Sequence, residues 1–247
     1  MAVRRPVRRT VVATLVTVLG VVCSVALSIP AAFAPLGVVP RFGVLLVLSE
    51  LGFAVAAVAF LLATGRSFDY VRWAGVDREV VRWIVGGTAG LFALRVAAIG
   101  VVQALGLPVA ESSVTDLAGQ GYVATLLLLV PLSVLVVGPA EELLFRGVVQ
   151  RYLSGCFSTT GAVVGASVLF ALVHLPTTLL AVADPVVTDA DLLAVAVTLS
   201  IVFALSLGLG YLYARTANLA VPVFVHGCYD ALLFALAYVV AVGPGPA

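Results

Sequence analysis

Seven long apolar runs constrain this chain more than any other feature. They cover residues 10–32, 42–64, 83–107, 122–140, 160–181, 192–214 and 219–242. About 20 apolar residues in helical form cross the ~30 Å hydrocarbon core of a bilayer. Inside lipid the backbone must satisfy its own hydrogen bonds, which excludes open strands. The reading is therefore all-α: a polytopic integral membrane helix bundle with about seven transmembrane helices. Composition supports it, because only 10% of the residues are charged, against about 25% in a soluble domain.

The placement of the few charges orients the bundle. All thirteen basic residues are arginine. Arg4, Arg5, Arg8 and Arg9 precede the first span, and Arg66, Arg72, Arg78 and Arg82 lie between the second and third. Arg146 and Arg151 follow the fourth, and Arg215 lies between the sixth and seventh. Cytoplasmic loops carry the arginine excess, so the N-terminus is expected in the cytoplasm and the C-terminus outside. The opposite loops hold Glu111, Asp116, Asp184, Asp189 and Asp191, with Arg41 as the basic exception. The first run is expected to stay as a helix rather than act as a cleaved signal, being longer than a usual signal core. The 65–82 loop, with Trp73 and Trp83, reads as an interfacial segment. Gly86-to-Gly90 and Gly161-to-Gly165 read as sites of close helix packing. Cys23, Cys156 and Cys228 form no disulfide or zinc pattern.

Ionisable residues within the spans are costly, so they must face one another or a wet cavity. Glu141 and Glu142 end the fourth span, and Arg146 follows Glu142 at the i,i+4 spacing that suits an acid before a base. The only two histidines, His174 and His226, lie in the fifth and seventh spans. Asp230 shares a helix face with His226, and Phe170 with His174. Together these spans are expected to build one polar pocket. Glu50 and Arg95 are expected to pair with each other or to reach the interface. Carboxylate and imidazole groups can carry out general acid–base hydrolysis, with the second histidine donating to an oxyanion. Two His and a Glu can also hold zinc, and a proton-coupled transporter would use the same residue types. No His-Glu-x-x-His, rhomboid-type or Gly-x-Gly-Asp motif is present.

Glu141-Glu142-x-x-x-Arg146, Phe170-x-x-x-His174 and His226-x-x-x-Asp230, in that order on separate spans, resemble the CPBP family of CAAX-protease and bacteriocin-processing intramembrane endopeptidases. The run from Gly210 to Pro222 is similar to the family's approach to its last histidine. The resemblance covers residues 120–242 and leaves 1–119 as a variable N-terminal part. It implies that Glu141 and His174 activate water, that Glu142 and Arg146 support them, and that His226 and Asp230 occupy the oxyanion-stabilising positions. It also implies a membrane-embedded or membrane-anchored protein substrate, CAAX-like or lipidated, in the lipid bilayer, and no nucleic acid. Members have been described both as metalloproteases and as glutamate-dependent. No cofactor is favoured here, zinc stays open, and so does a catalytically idle immunity or binding protein. The family commonly has Asn where this chain has Asp230. For Glu141 to reach His174, the fourth helix must continue from about Pro139 to Tyr152.

Overall fold

A computed structural model describes residues 4–110, 118–182 and 187–243. It contains seven helices long and apolar enough to cross a membrane. They are α1 (Arg4–Ala32), α2 (Val38–Ala63), α3 (Arg78–Ala104), α4 (Ala124–Leu153), α5 (Thr159–Val182), α6 (Asp189–Thr216) and α7 (Ala220–Val242). The protein is an all-helical membrane protein. Of the residues used to orient it, Glu111, Asp116 and Asp184 lie outside the described segments, as does the 244–247 tail.

The fourth helix continues through Tyr152, as a meeting of Glu141 with His174 requires, beyond the boundary that hydropathy alone sets. The apolar run stops at Ala140, but the helix continues to Leu153. Glu141, Glu142 and Arg146 are therefore not at the end of a span. They lie in its interior, where Glu142 and Arg146 pair with each other and with groups on α6 and α7, while Glu141 borders two cavities. The helix is also not uniform. Residues Ser133–Val137 and Leu143–Gln150 are wound as π-helix on either side of Gly138–Glu142. Pro139 has no N–H, and its ring crowds the carbonyl four residues back. Widening the turn before it relieves that clash, and such π segments recur at functional sites.

Two glycines set how α4 meets α7. A Cβ on Gly138 would lie 2.7 Å from the Val223 carbonyl oxygen, and one on Gly227 would lie 2.7 Å from the Val134 Cα. The two backbones thus cross almost in contact next to His226 and Glu141. Of the two glycine runs expected to pack closely, the α3 run does so through Gly87, whose Cβ would lie 2.8 Å from Val225 and 2.9 Å from Leu212, and not through its outer glycines. Gly86 and Gly90 face open space, Gly161 meets only its own N-terminal turn, and Gly165 touches the Leu153 side chain. On the other side, α6 runs parallel to α4. Arg146 Nη2 donates to the Ser206 hydroxyl and carbonyl at 2.9 and 3.1 Å, and Gln150 Nε2 donates to the Gly210 carbonyl at 2.9 Å. Both rungs advance four residues on each helix, which keeps the register.

The 65–82 segment is more than an interfacial loop. It contains a short 3₁₀ turn, Phe68–Val71, whose last residue is fully buried. Val71 accepts from the Tyr213 hydroxyl at 3.1 Å, and Arg72 accepts from the Leu219 N–H at 2.9 Å. Asn218 accepts from the Ala74 N–H at 3.1 Å and donates to the Gly75 carbonyl at 2.9 Å. A strap from the N-terminal part therefore holds the α6–α7 turn. At the same end of the bundle, Arg66 and Arg151 stack on Tyr70, and Arg9 stacks on Tyr152 and donates to its carbonyl. Burial pushes the Tyr70 phenol above its ordinary value, with the nearby Arg66 and Arg151 opposing the shift. Arg41, the exception among the arginines, caps the α1–α2 turn by donating to the Ala34 and Leu36 carbonyls. Thr188 is the N-cap of α6, and Asp191 in its first turn completes the capping box by exchanging hydrogen bonds with it.

Candidate active site

The extension of α4 brings Glu141 and His174 to a common depth. Glu141 is roughly 18 Å along α4 from Leu153, and His174 roughly 22 Å along α5 from Thr159, at 1.5 Å per residue. α5 changes at that point, with His174 capping Thr159–Val173 before a second segment, Leu175–Val182. The following Pro176 suits the break, since proline fits the first turn of a helix and not its interior.

Glu142 is fully buried and has two partners. Its Oε2 is 3.1 Å from Arg146 Nε, and its Oε1 accepts from His226 Nδ1 at 2.9 Å. It is therefore more than the partner of Arg146: it also fixes the second histidine. With Nδ1 committed, His226 turns Nε2 toward two further carboxylates. Asp230 Oδ2 is 3.3 Å away and Glu141 Oε2 is 3.7 Å away. The α4 and α7 groups named from the sequence thus meet around one imidazole ring.

His174 is oriented differently. Its Nδ1 lies 2.8 Å from the Phe170 carbonyl. A carbonyl only accepts, so Nδ1 carries the proton and neutral His174 presents a lone pair at Nε2. The Phe170 ring packs between the imidazoles, 4.9 Å from His174 and 5.9 Å from His226 between ring centroids, and the Arg146 guanidinium lies over it at 4.7 Å. One aromatic ring therefore spaces both histidines and covers the buried cation.

Glu141 and His174 together line two cavities. One, of about 180 Å³, runs toward α3, α6 and α7 and also exposes Arg95, His226 and Asp230. The other, of about 510 Å³, runs between α1, α2 and α5 and exposes Glu50. Glu50 and Arg95 thus lie on separate cavities, and no ion pair joins them among the described residues. Sequence reading gave both residues a role away from the site. The intramembrane charge was the available signal, but helical spacing says nothing about which helices meet. Ser206, which holds Arg146, had no signal beyond being small and polar.

A zinc ion would require at least three converging donors with free lone pairs. Both ring nitrogens of His226 already face carboxylates. Among the described residues no three His, Cys, Asp or Glu side chains form a ligand set.

Residues 123–232 match the family model described as type II CAAX prenyl endopeptidase Rce1-like. The match makes this segment, rather than the chain as a whole, similar to the Rce1-like family. The matched segment contains the whole carboxylate–imidazole cluster and supports the CPBP/CAAX protease family, which implies a hydrolase acting on peptide bonds. Glu50 and Arg95 come from helices outside it. No curated protein and no solved structure matches the chain.

Proposed function

We propose that the protein is an intramembrane endopeptidase in which Glu141 and His174 activate water against a peptide bond of a membrane-anchored substrate. The observation that carries this reading is the position of Glu141. Its carboxylate lies 3.7 Å from His226 Nε2 and shares both cavities with His174. A water held between Glu141 and the His174 lone pair would lose a proton as it attacks, and the same groups would return it to the leaving amine. His226, held by Glu142 at one nitrogen, would turn its other N–H toward the oxyanion. Asp230, 3.3 Å from that nitrogen, would orient the ring rather than donate itself. Arg146, 3.1 Å from Glu142, holds that carboxylate in place. The reaction is read as metal-free, supported by the engagement of both His226 nitrogens. Metal content of the purified protein, measured alongside activity in chelator, tests that part.

The substrate class follows from the family match and the buried site: a lipidated or otherwise membrane-anchored peptide, of which a CAAX-type chain end is one form. The N-terminus is assigned to the cytoplasm, supported by the gathering of Arg9, Arg66 and Arg151 at one end of the bundle.

Replacing Glu141 by Gln preserves shape and removes the base. Cleavage of a lipidated membrane peptide should fall by about 10²–10⁴-fold, the usual worth of a general base, with the protein still folded. Comparing membrane-anchored peptides in cells with and without Glu141 would identify the substrate. Unchanged processing and phenotype in Glu141→Gln would instead favour a binding or immunity protein.

A further inference from the structure

The cavity between α1, α2 and α5 has no role in the chemistry above, yet it ends on the site. Its lining is mainly apolar, with a polar file along one side. Ser28 donates to the Ser24 carbonyl at 2.7 Å, and Ser24 Oγ is 2.6 Å from Ser49 Oγ. Beside Ser49 comes Glu50, then Glu141 and His174. Ser28 lies one turn from the end of α1, whereas Glu50 is roughly 18 Å along α2 from Val38. The file therefore leads from the α1–α2 end of the bundle to the middle of the membrane.

Glu50 is the informative residue. It is only 7% exposed, and its Oε2 has no hydrogen-bond partner in the protein. A buried carboxyl oxygen left unpaired loses hydration with nothing in return. Such groups are normally satisfied by ordered water where the space is polar and large enough, and one water needs only about 10–15 Å³. The cavity is far larger, at about 510 Å³. Hydrolysis inside a bilayer consumes one water for each bond broken, and lipid supplies none.

We infer that the α1–α2 cavity is the water supply of the site, with Glu50 as a positioning residue that holds the incoming water beside Glu141 and His174. This rests on the protease reading, but the wetness of the cavity can be tested without it. Glu50 acts as a hydrogen-bonding group, and no proton leaves it in the reaction. The water it passes on is the one whose O–H bond Glu141 breaks. Ser24, Ser28 and Ser49 complete the path, so the N-terminal helices supply a part of the site that the Rce1-like segment lacks.

The experiment uses the full chain with Cys23, Cys156 and Cys228 changed to Ala. Single cysteines are placed by Ser28→Cys and Ser49→Cys, and by Val55→Cys, an exposed mid-helix position on α2 that faces lipid. A charged, membrane-impermeant thiosulfonate should label the first two at least about tenfold faster than the third, as a water-filled path requires. Equal, slow labelling at all three overturns the proposal, whether or not the protein cleaves anything. Turnover of a lipidated peptide gives the second reading. Glu50→Gln keeps the hydrogen bonds and should stay within about threefold of the parent kcat. Glu50→Leu should lower kcat by about tenfold or more with KM unchanged, the signature of an interaction outside substrate binding. Full kcat in Glu50→Leu, or an equally deep loss in Glu50→Gln, overturns the role given to Glu50. If Glu141→Gln still cleaves, the protease reading fails while the labelling result stands.

Discussion

Glu142 joins the two charged halves of the cluster. Its carboxylate meets a guanidinium through one oxygen and an imidazole through the other. Glu142→Ala would leave Arg146, 1% exposed, as an uncompensated buried charge, at a cost of about 3–5 kcal/mol. Thermal unfolding in detergent should show a large loss of stability together with loss of activity. Asp230 should behave differently, because it touches His226 from the cavity side and is partly exposed. Asp230→Asn keeps a polar partner at His226 Nε2 and should retain activity within about tenfold, while Asp230→Ala should lose about 10²-fold or more, within the range for a group that supports an oxyanion donor. Peptide turnover by the two variants checks this, and an inactive Asp230→Asn would show that the negative charge itself is required. At this scale the sequence was readable where lipid makes charge expensive. Glu141, Glu142, His174, His226 and Asp230 all stood out as site candidates, whereas Glu50 was noticed as an intramembrane charge and given a role away from them. The same-helix pairs Glu142–Arg146 and His226–Asp230 were readable too, but the partners across helices were not, since i,i+4 spacing relates residues on one helix only.

Among the elements, the crossing of α4 and α7 does most to assemble the cluster. Gly138 and Gly227 let the backbones approach until added Cβ atoms would sit 2.7 Å from backbone atoms of the other helix. Gly138→Ala or Gly227→Ala should push the helices apart, at about 1–3 kcal/mol for overpacking. His226 and Glu141 should move out of reach, so activity should fall more steeply than stability. Gly90→Ala is the control: its Cβ meets nothing within 4 Å, and helix propensity favours Ala by about 0.8–1 kcal/mol. Parallel activity and unfolding measurements on the three variants would separate the effects. These elements also show where pattern reading failed. A small-xxx-small spacing marks a helix able to approach another but names no neighbour, so the glycine pairs in α3 and α5 were chosen over the two isolated glycines that form the crossing. Hydropathy alone ends α4 at Ala140, because Glu141, Glu142, Arg146 and Gln150 are polar by type, and its continuation was legible only from the need for Glu141 to reach His174.

Across the whole molecule, the N-terminal part is tied to the Rce1-like segment by the strap between α2 and α3. The sequence showed that loop only as charged and aromatic, and its docking depends on backbone groups, which no side-chain pattern reports. Asn218 is the main tie. It accepts from the Ala74 and Ala220 N–H groups at 3.1 and 3.0 Å and donates to the Gly75 carbonyl at 2.9 Å. Asn218→Ala removes all three bonds and leaves their backbone partners to find water, at about 1–3 kcal/mol for each group that cannot. Val71 would still be anchored through its buried side chain and the Tyr213 hydroxyl, so the strap should loosen from Arg72 onward while the bundle stays folded. Trypsin provides the measurement, because Arg72 and Arg78 flank the freed stretch and proteolysis follows local opening. Faster nicking there, with an almost unchanged unfolding temperature, is the expected result. Unchanged nicking would mean that the buried Val71 side chain and the hydrogen bonds from Tyr213 and Leu219 hold the strap without Asn218.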